Sequence, residues 1–173
     1  METVSPLITA EEISARIGIM AREIERDYEG KEVLFMCTLK GAVYFLADLS
    51  RRTNLKQEID FLKASSYGEG TTSAGYVNLD LAPKLQLDGK NVILLEDIVD
   101  TGHTAKFLLA YLAKLNPASL KLCSLLDKPD RRVVEGIKID YLGFTIPDKF
   151  VVGYGLDYAQ KYRNLPYIGV VSF

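Results

Sequence analysis

Apolar residues come in short runs divided by polar turns, and the period of the runs alternates along the chain. The first is helical. Ile13, Ile17, Met20 and Ile24 recur every three or four residues behind Thr9-Ala10-Glu11-Glu12, which has capping-box spacing, and Tyr28-Glu29-Gly30 ends the pattern. Val33-Leu34-Phe35-Met36-Cys37 is a continuous apolar run of strand length, with Leu39-Lys40-Gly41 as its exit turn. A helix is predicted from Ala42 to Arg51, carrying Val43, Phe45, Leu46 and Leu49. Ile59–Ala64 and Tyr76–Leu81 read as strands, the second alternating apolar and polar as a half-exposed strand does. Between them Ser65 to Gly75, SSYGEGTTSAG, has almost nothing to bury. Val92-Ile93-Leu94-Leu95 predicts a buried strand. Ala105, Leu108, Leu109 and Leu112 then mark one side of a helix. Leu120–Leu126, Tyr141–Phe144 and Tyr167–Val171 are the remaining strands. Strands alternating with helices predict an α/β fold: a mostly parallel, twisted sheet with helices on both faces. Its ligand belongs beyond the carboxyl ends of the strands. Lys40-Gly41, Glu96–Thr104, Lys128 and Asp157 are all expected at such ends.

The chemistry concentrates in one stretch, NVILLEDIVDTGHTAK, from Asn91 to Lys106. A buried strand, a polar turn and a helix start form a geometry that grips phosphate. The first N–H groups of a helix lack intrahelical partners, and the helix dipole favours an anion there. Gly102 permits the positive φ that such a cradle often needs, and Thr101 and Thr104 offer hydroxyl donors. A phosphate alone does not explain the acids. Glu96 and Asp97, adjacent in extended backbone, point to opposite sides and suit ribose hydroxyls or a hard cation held by them.

Composition narrows the class. With 173 residues, 48% hydrophobic and 25% charged, the chain reads as a soluble globular domain, taken as one unit over 1–173. A net charge of −2 offers no basic footprint, so no nucleic-acid partner is expected. The first residues lack a basic segment followed by an apolar core, and no apolar run has membrane-spanning length, so a cytoplasmic protein with no membrane partner is expected. The two cysteines, Cys37 and Cys123, sit in apolar runs and are expected to be buried reduced thiols.

The pattern of an apolar run, two acids, two apolar residues, Asp-Thr-Gly, one variable residue and Thr resembles the loop that binds phosphoribosyl diphosphate (PRPP) in type I phosphoribosyltransferases, here 96–104. The likeness extends along the chain through Leu39-Lys40-Gly41, Ser65-Ser66-Tyr67, Leu125-Leu126-Asp127-Lys128, Pro147–Tyr154, Asp157-Tyr158 and Arg163. In that order these segments resemble the hypoxanthine (6-oxopurine) phosphoribosyltransferases of the short bacterial type. The resemblance implies the type I fold, with a small hood and a flexible hairpin lid over 65–75. It implies a purine-salvage transferase that moves 5-phosphoribosyl from PRPP to N9 of hypoxanthine or guanine, releasing IMP or GMP and pyrophosphate, with Mg²⁺ and as a homodimer or homotetramer.

Residue roles carry over position by position. Asp100 is the implied general acid/base toward the purine N7 side. Thr101, Gly102, His103 and Thr104 hold the 5′-phosphate, while Glu96 and Asp97 face the ribose hydroxyls. The Leu39-Lys40-Gly41 turn and Arg163 bind pyrophosphate. Lys128, Phe150 and Val151 read the purine, with Asp157 beside it. Asp157, Glu96 and Asp97 are the implied metal residues, and Ser65, Ser66 and Tyr67 begin the lid. His103, the chain's one histidine, stands where other members carry lysine, and its side chain is expected to face solvent. Three rivals are weaker. A PRPP-sensing regulator needs a nucleic-acid surface. A transferase for adenine or a pyrimidine does not suit Lys128 and Lys149-Phe150-Val151, although xanthine stays open. A dinucleotide-binding dehydrogenase needs a G-x-G-x-x-G turn after the first strand.

Overall fold

The computed structural model describes residues 2–67 and 76–172. Strand β1 (Thr3–Ile8) opens the chain and α1 (Ala10–Asp27) follows. The capping box starts α1 as expected: Glu12 N–H donates to Thr9 Oγ1 at 3.2 Å, and Thr9 N–H to Glu12 Oε2 at 2.8 Å. Next come β2 (Val33–Thr38), α2 (Val43–Ser50), β3 (Gln57–Tyr67) and β4 (Tyr76–Leu81). Then follow β5 (Asn91–Val99), α3 (His103–Ala113), β6 (Ser119–Asp127), a 3₁₀ turn at Pro129–Arg131, β7 (Tyr141–Thr145), β8 (Val151–Val152) and β9 (Ile168–Ser172).

A six-stranded sheet in the order β4-β3-β2-β5-β6-β7 forms the body. Its pairings are parallel except β3 with β4, the hairpin at one edge. Period-two alternation sorts the buried strands between two layers. Val33, Phe35 and Cys37 of β2, with Ile93 and Leu95 of β5, pack under α1 and α2. Leu34, Met36, Val92 and Leu94 face α3 through Ala105, Leu108 and Leu112. Helices therefore cover both faces, as the alternation predicts. Among the described residues no helix is long and apolar enough to cross a membrane.

Three expectations need correction. Strand β5 does not stop at Leu95 but runs to Val99, so Glu96 and Asp97 lie within the strand. Continued pairing of Glu96 with Ser124 and Ile98 with Leu126 carries the ladder past the acids. The last strand is not in the main sheet: β9 pairs antiparallel with β1 and β8 in a separate three-stranded sheet. Asp157 consequently follows β8 of that small sheet and is not at the carboxyl end of a main-sheet strand. Of the expected lid, Ser65, Ser66 and Tyr67 end β3 and pair in register with β4, while its tip, 68–75, lies outside the described residues.

Candidate active site

The carboxyl ends of β2 and β5 lead to a cavity of about 250 Å³, lined among others by Thr38, Glu96, Asp97, Asp100, Thr101, Gly102 and Thr104. Gly102 caps the start of α3 in a left-handed conformation, φ 93°. A Cβ there would come within 2.5 Å of the Ile137 side chain, so both backbone and packing require glycine. His103 is the first residue of α3 and is partly buried.

Glu96 is buried, and its Oε1 has no hydrogen-bond partner. Burial, then the charge of Asp97, raises its pKa well above the usual carboxylate range, with the Thr38 hydroxyl opposing. Asp97 Oδ1 accepts from Ile98 N–H at 3.0 Å. Burial raises Asp97 to about 6, against the Ile98 hydrogen bond and the charge of Arg163. Among the described residues neither acid forms an ion pair, and the charge of Arg163 offsets the burial of Asp97 only in part. Cys37, beneath them, is pushed up to about 12 by burial first and then by the charges of Glu96 and Asp97, so it is an inert thiol.

The turn after β2 brings Gly41 against the Asp97 side chain, and the Leu39-Lys40 peptide is cis. A Cβ on Gly41 would stand 1.7 Å from Asp97 Oδ2, and one on Gly155 1.9 Å from the Gly41 carbonyl oxygen. Stacking of the Gly155 backbone on Gly41, and of Gly41 on the Asp97 side chain, brings the 153–163 loop to the site. Arg163 pairs with Asp157 at 2.7 Å and donates to the Gly155 carbonyl at 2.7 Å. Gln160, absent from the expected set, accepts from Lys40 Nζ at 3.3 Å and from Arg163 Nη2 at 3.2 Å. Its backbone N–H donates to Asp157 Oδ2 at 2.9 Å.

On the other side stands Lys128, 7% exposed, which excludes a solvated turn lysine. Its Nζ donates to the Lys149 carbonyl at 2.8 Å and lies 3.8 Å from Asp148 Oδ1. An ammonium has three donors and one is used in a hydrogen bond, so two remain, one of them on the side of Asp148. Phe150, 48% exposed, meets Tyr158 edge-to-face at 5.6 Å between centroids. Val171 N–H bonds to the Phe150 carbonyl at 3.0 Å, which makes Val151–Val170 a non-hydrogen-bonded pair. The N–H and C=O of Val151 therefore face away from β9.

A profile of the phosphoribosyl transferase domain matches residues 7–159. The chain belongs to the phosphoribosyltransferase family. It is 44% identical over 173 residues to the hypoxanthine phosphoribosyltransferase of Buchnera aphidicola, covering 99% of this chain and 97% of that one. A crystal structure of a hypoxanthine-guanine phosphoribosyltransferase from Bacillus anthracis superimposes with a TM-score of 0.92 at 43% identity, covering 99% of this chain and 100% of that one. The bifunctional protein TilS/HprT of Listeria monocytogenes is 45% identical over 166 residues, and this chain spans 26% of its length. Phosphoribosyltransferases use a metal ion with PRPP, and the donor set fits one. The acids are carboxylates short of positive charge. No cluster of three metal-ligating side chains exists among the described residues, so a metal held here would draw further oxygens from substrate or water.

That charge deficit has a stability consequence for the phosphoribosyltransferase without ligands. The folded-state pKa of Asp97 is raised, so its proton is held more tightly folded than unfolded. Its contribution is intact below about pH 4, the ordinary range for aspartate, and is lost as pH rises through the folded value near 6. Asp97→Asn, measured with chelator and no PRPP, is expected to leave the melting temperature unchanged near pH 4 and raise it by a few degrees at pH 8. Thermal melts across that range check it; a variant equally or less stable than wild type at pH 8 refutes the charge deficit.

Proposed function

We propose that the chain transfers the 5-phosphoribosyl group of PRPP to N9 of hypoxanthine or guanine, giving IMP or GMP and pyrophosphate, a step of purine salvage. The observation that carries this is a helix-start loop and a buried acid pair lining one cavity, with the buried Lys128 bonded through its N–H to the Val99 carbonyl of that loop and through its Nζ to the Lys149 carbonyl beside the exposed Phe150. The domain is taken as 1–173, because β9, beyond the matched span, sets the register that frees Val151.

In this reading the N–H groups of Thr101, Gly102, His103 and Thr104, with the threonine hydroxyls, hold the 5′-phosphate. Glu96 and Asp97 accept from the ribose 2- and 3-hydroxyls, fixing C1′. Phe150 stacks on the purine, Lys128 donates to O6, and the Val151 N–H and C=O complete the edge. The N9 lone pair forms the bond to C1′ as the C1′–O bond breaks and its electrons leave with pyrophosphate. Asp100 takes the proton from N7. The Leu39-Lys40-Gly41 turn and Arg163 receive the pyrophosphate oxygens, which requires Arg163 and Asp157 to separate from their present ion pair. Asp157, with Glu96 and Asp97 nearby, would hold Mg²⁺, which neutralises charge on the departing pyrophosphate.

Rates with PRPP and hypoxanthine, guanine, xanthine and adenine test the assignment. Turnover of the two 6-oxopurines with loss of activity in excess chelator is expected. Full turnover in chelator refutes the metal requirement, and preference for adenine refutes the base assignment.

A further inference from the structure

The carbonyl groups of Val99 to Gly102 are all engaged by donors that do not line the cavity. Val99 C=O accepts from Lys128 N–H at 3.0 Å, and Thr101 C=O accepts from Val133 and Val134 N–H at 3.1 and 3.3 Å. Gly102 C=O accepts from Lys106 N–H in the first turn of α3 at 3.0 Å. Asp100 C=O accepts from a side chain, Arg132 Nε, at 3.0 Å. The N–H groups of Thr101 to Thr104 donate to no protein acceptor among the described residues. In a trans peptide unit the C=O of one residue and the N–H of the next point in opposite directions. Holding the Asp100 carbonyl outward therefore turns the Thr101 N–H inward, and the same relation links the Thr101 and Gly102 carbonyls to the next two N–H groups.

Arg132 occupies a particular place in this arrangement. The other donors are main-chain amides, whereas Arg132 is a planar fork reaching three acceptors. Besides the Asp100 carbonyl it reaches the Val99 carbonyl at 3.4 Å and the Asp127 carboxylate. Its side chain also packs on the α-carbon of Gly102, where an added Cβ would stand 2.9 Å from Arg132 Cδ. With 20% of its side chain exposed, it is mostly withdrawn from solvent.

We propose that Arg132 is a positioning residue for the 5′-phosphate site. It fixes the Asp100–Thr101 peptide so that the Thr101 N–H faces the phosphate, and it ties that peptide to the segment beginning at the base-reading Lys128. This rests on the transferase reading above. The side chain touches no reacting atom, so its removal acts on affinity for the phosphorylated ligand more than on the base. Lysine at this position keeps the charge, but one ammonium cannot span the three acceptors of the guanidinium fork.

The test is steady-state kinetics of Arg132→Ala and Arg132→Lys, with calorimetric binding of GMP as a readout independent of turnover. Both variants are expected to raise the KM for PRPP and the Kd for GMP on the order of tenfold, the worth of one hydrogen bond to a charged group. The KM for hypoxanthine at saturating PRPP should stay near wild type. Millimolar guanidinium should restore PRPP and GMP affinity to Arg132→Ala, while methylammonium should not. A wild-type chain with no turnover overturns the transferase reading itself. With an active wild type, unchanged PRPP KM in Arg132→Lys, or an equal rise for hypoxanthine, overturns the positioning role. If Arg132→Ala does not fold, Arg132→Lys decides alone by its split between PRPP and hypoxanthine.

Discussion

Asp100→Asn is expected to lower turnover on the order of a hundred- to a thousand-fold, with the KM for PRPP nearly unchanged. The carboxylate lines the cavity, and its Oδ1 is buried without a hydrogen-bond partner. Arg131 Nε lies 3.4 Å from that oxygen, an ion pair without hydrogen-bond geometry, and Arg131 is 51% exposed. That oxygen thus has a cation at one edge and no hydrogen-bond donor on it. Asparagine has the same size and leaves the loop carbonyl bonded to Arg132. It cannot take a proton from the purine, and loss of a general acid/base costs about 10²–10⁴ in rate. Single-turnover rates and PRPP binding separate the chemical step from the cradle. Wild-type turnover in Asp100→Asn would reduce Asp100 to a residue that shapes the loop.

Lys128→Met is expected to collapse the discrimination between hypoxanthine and adenine. Hypoxanthine and guanine carry an oxygen at position 6, adenine an amino group. The ammonium of Lys128 is spent partly on the Lys149 carbonyl and on Asp148, which aims the remaining donor. A buried ammonium donates to O6 and leaves an amino group facing a charge. A site built to hydrogen-bond one group rejects the analogue that lacks it by about 10⁴. Methionine removes the charge and keeps the length. kcat/KM for hypoxanthine and guanine should fall steeply while that for adenine changes little. Phe150→Leu is the control: stacking does not distinguish the 6-substituent, so all bases should weaken together. An unchanged hypoxanthine-to-adenine ratio in Lys128→Met would show that the lysine only braces the 147–150 turn.

What the chain could declare by itself was whatever short segments encode. The Thr9–Glu12 capping box, the buried runs of β2, β5 and β6, and the strand–acid–turn–helix order of 91–106 are set by neighbours within about one helical turn or a few strand residues. The strand–turn–helix segment that the proposal reads as a phosphate cradle is such a local object, so its residues could be named in order. The small sheet was not legible, because β8 has two residues, too few to show a period, and β1 and β9 find each other across nearly the whole chain. The length of β5 was missed for a related reason. Acids in a run look like its end, and only pairing with β6 shows that the ladder continues beneath them. Tertiary structure alone decided which way peptide groups face. Arg132 in sequence is one arginine beside another, and Gln160 one polar residue in a loop. Their importance lies in acceptors 32 residues from one and a lysine 120 residues from the other. Local periodicity and spacing carry no information about such contacts, since packing fixes them only when the sheet edges close.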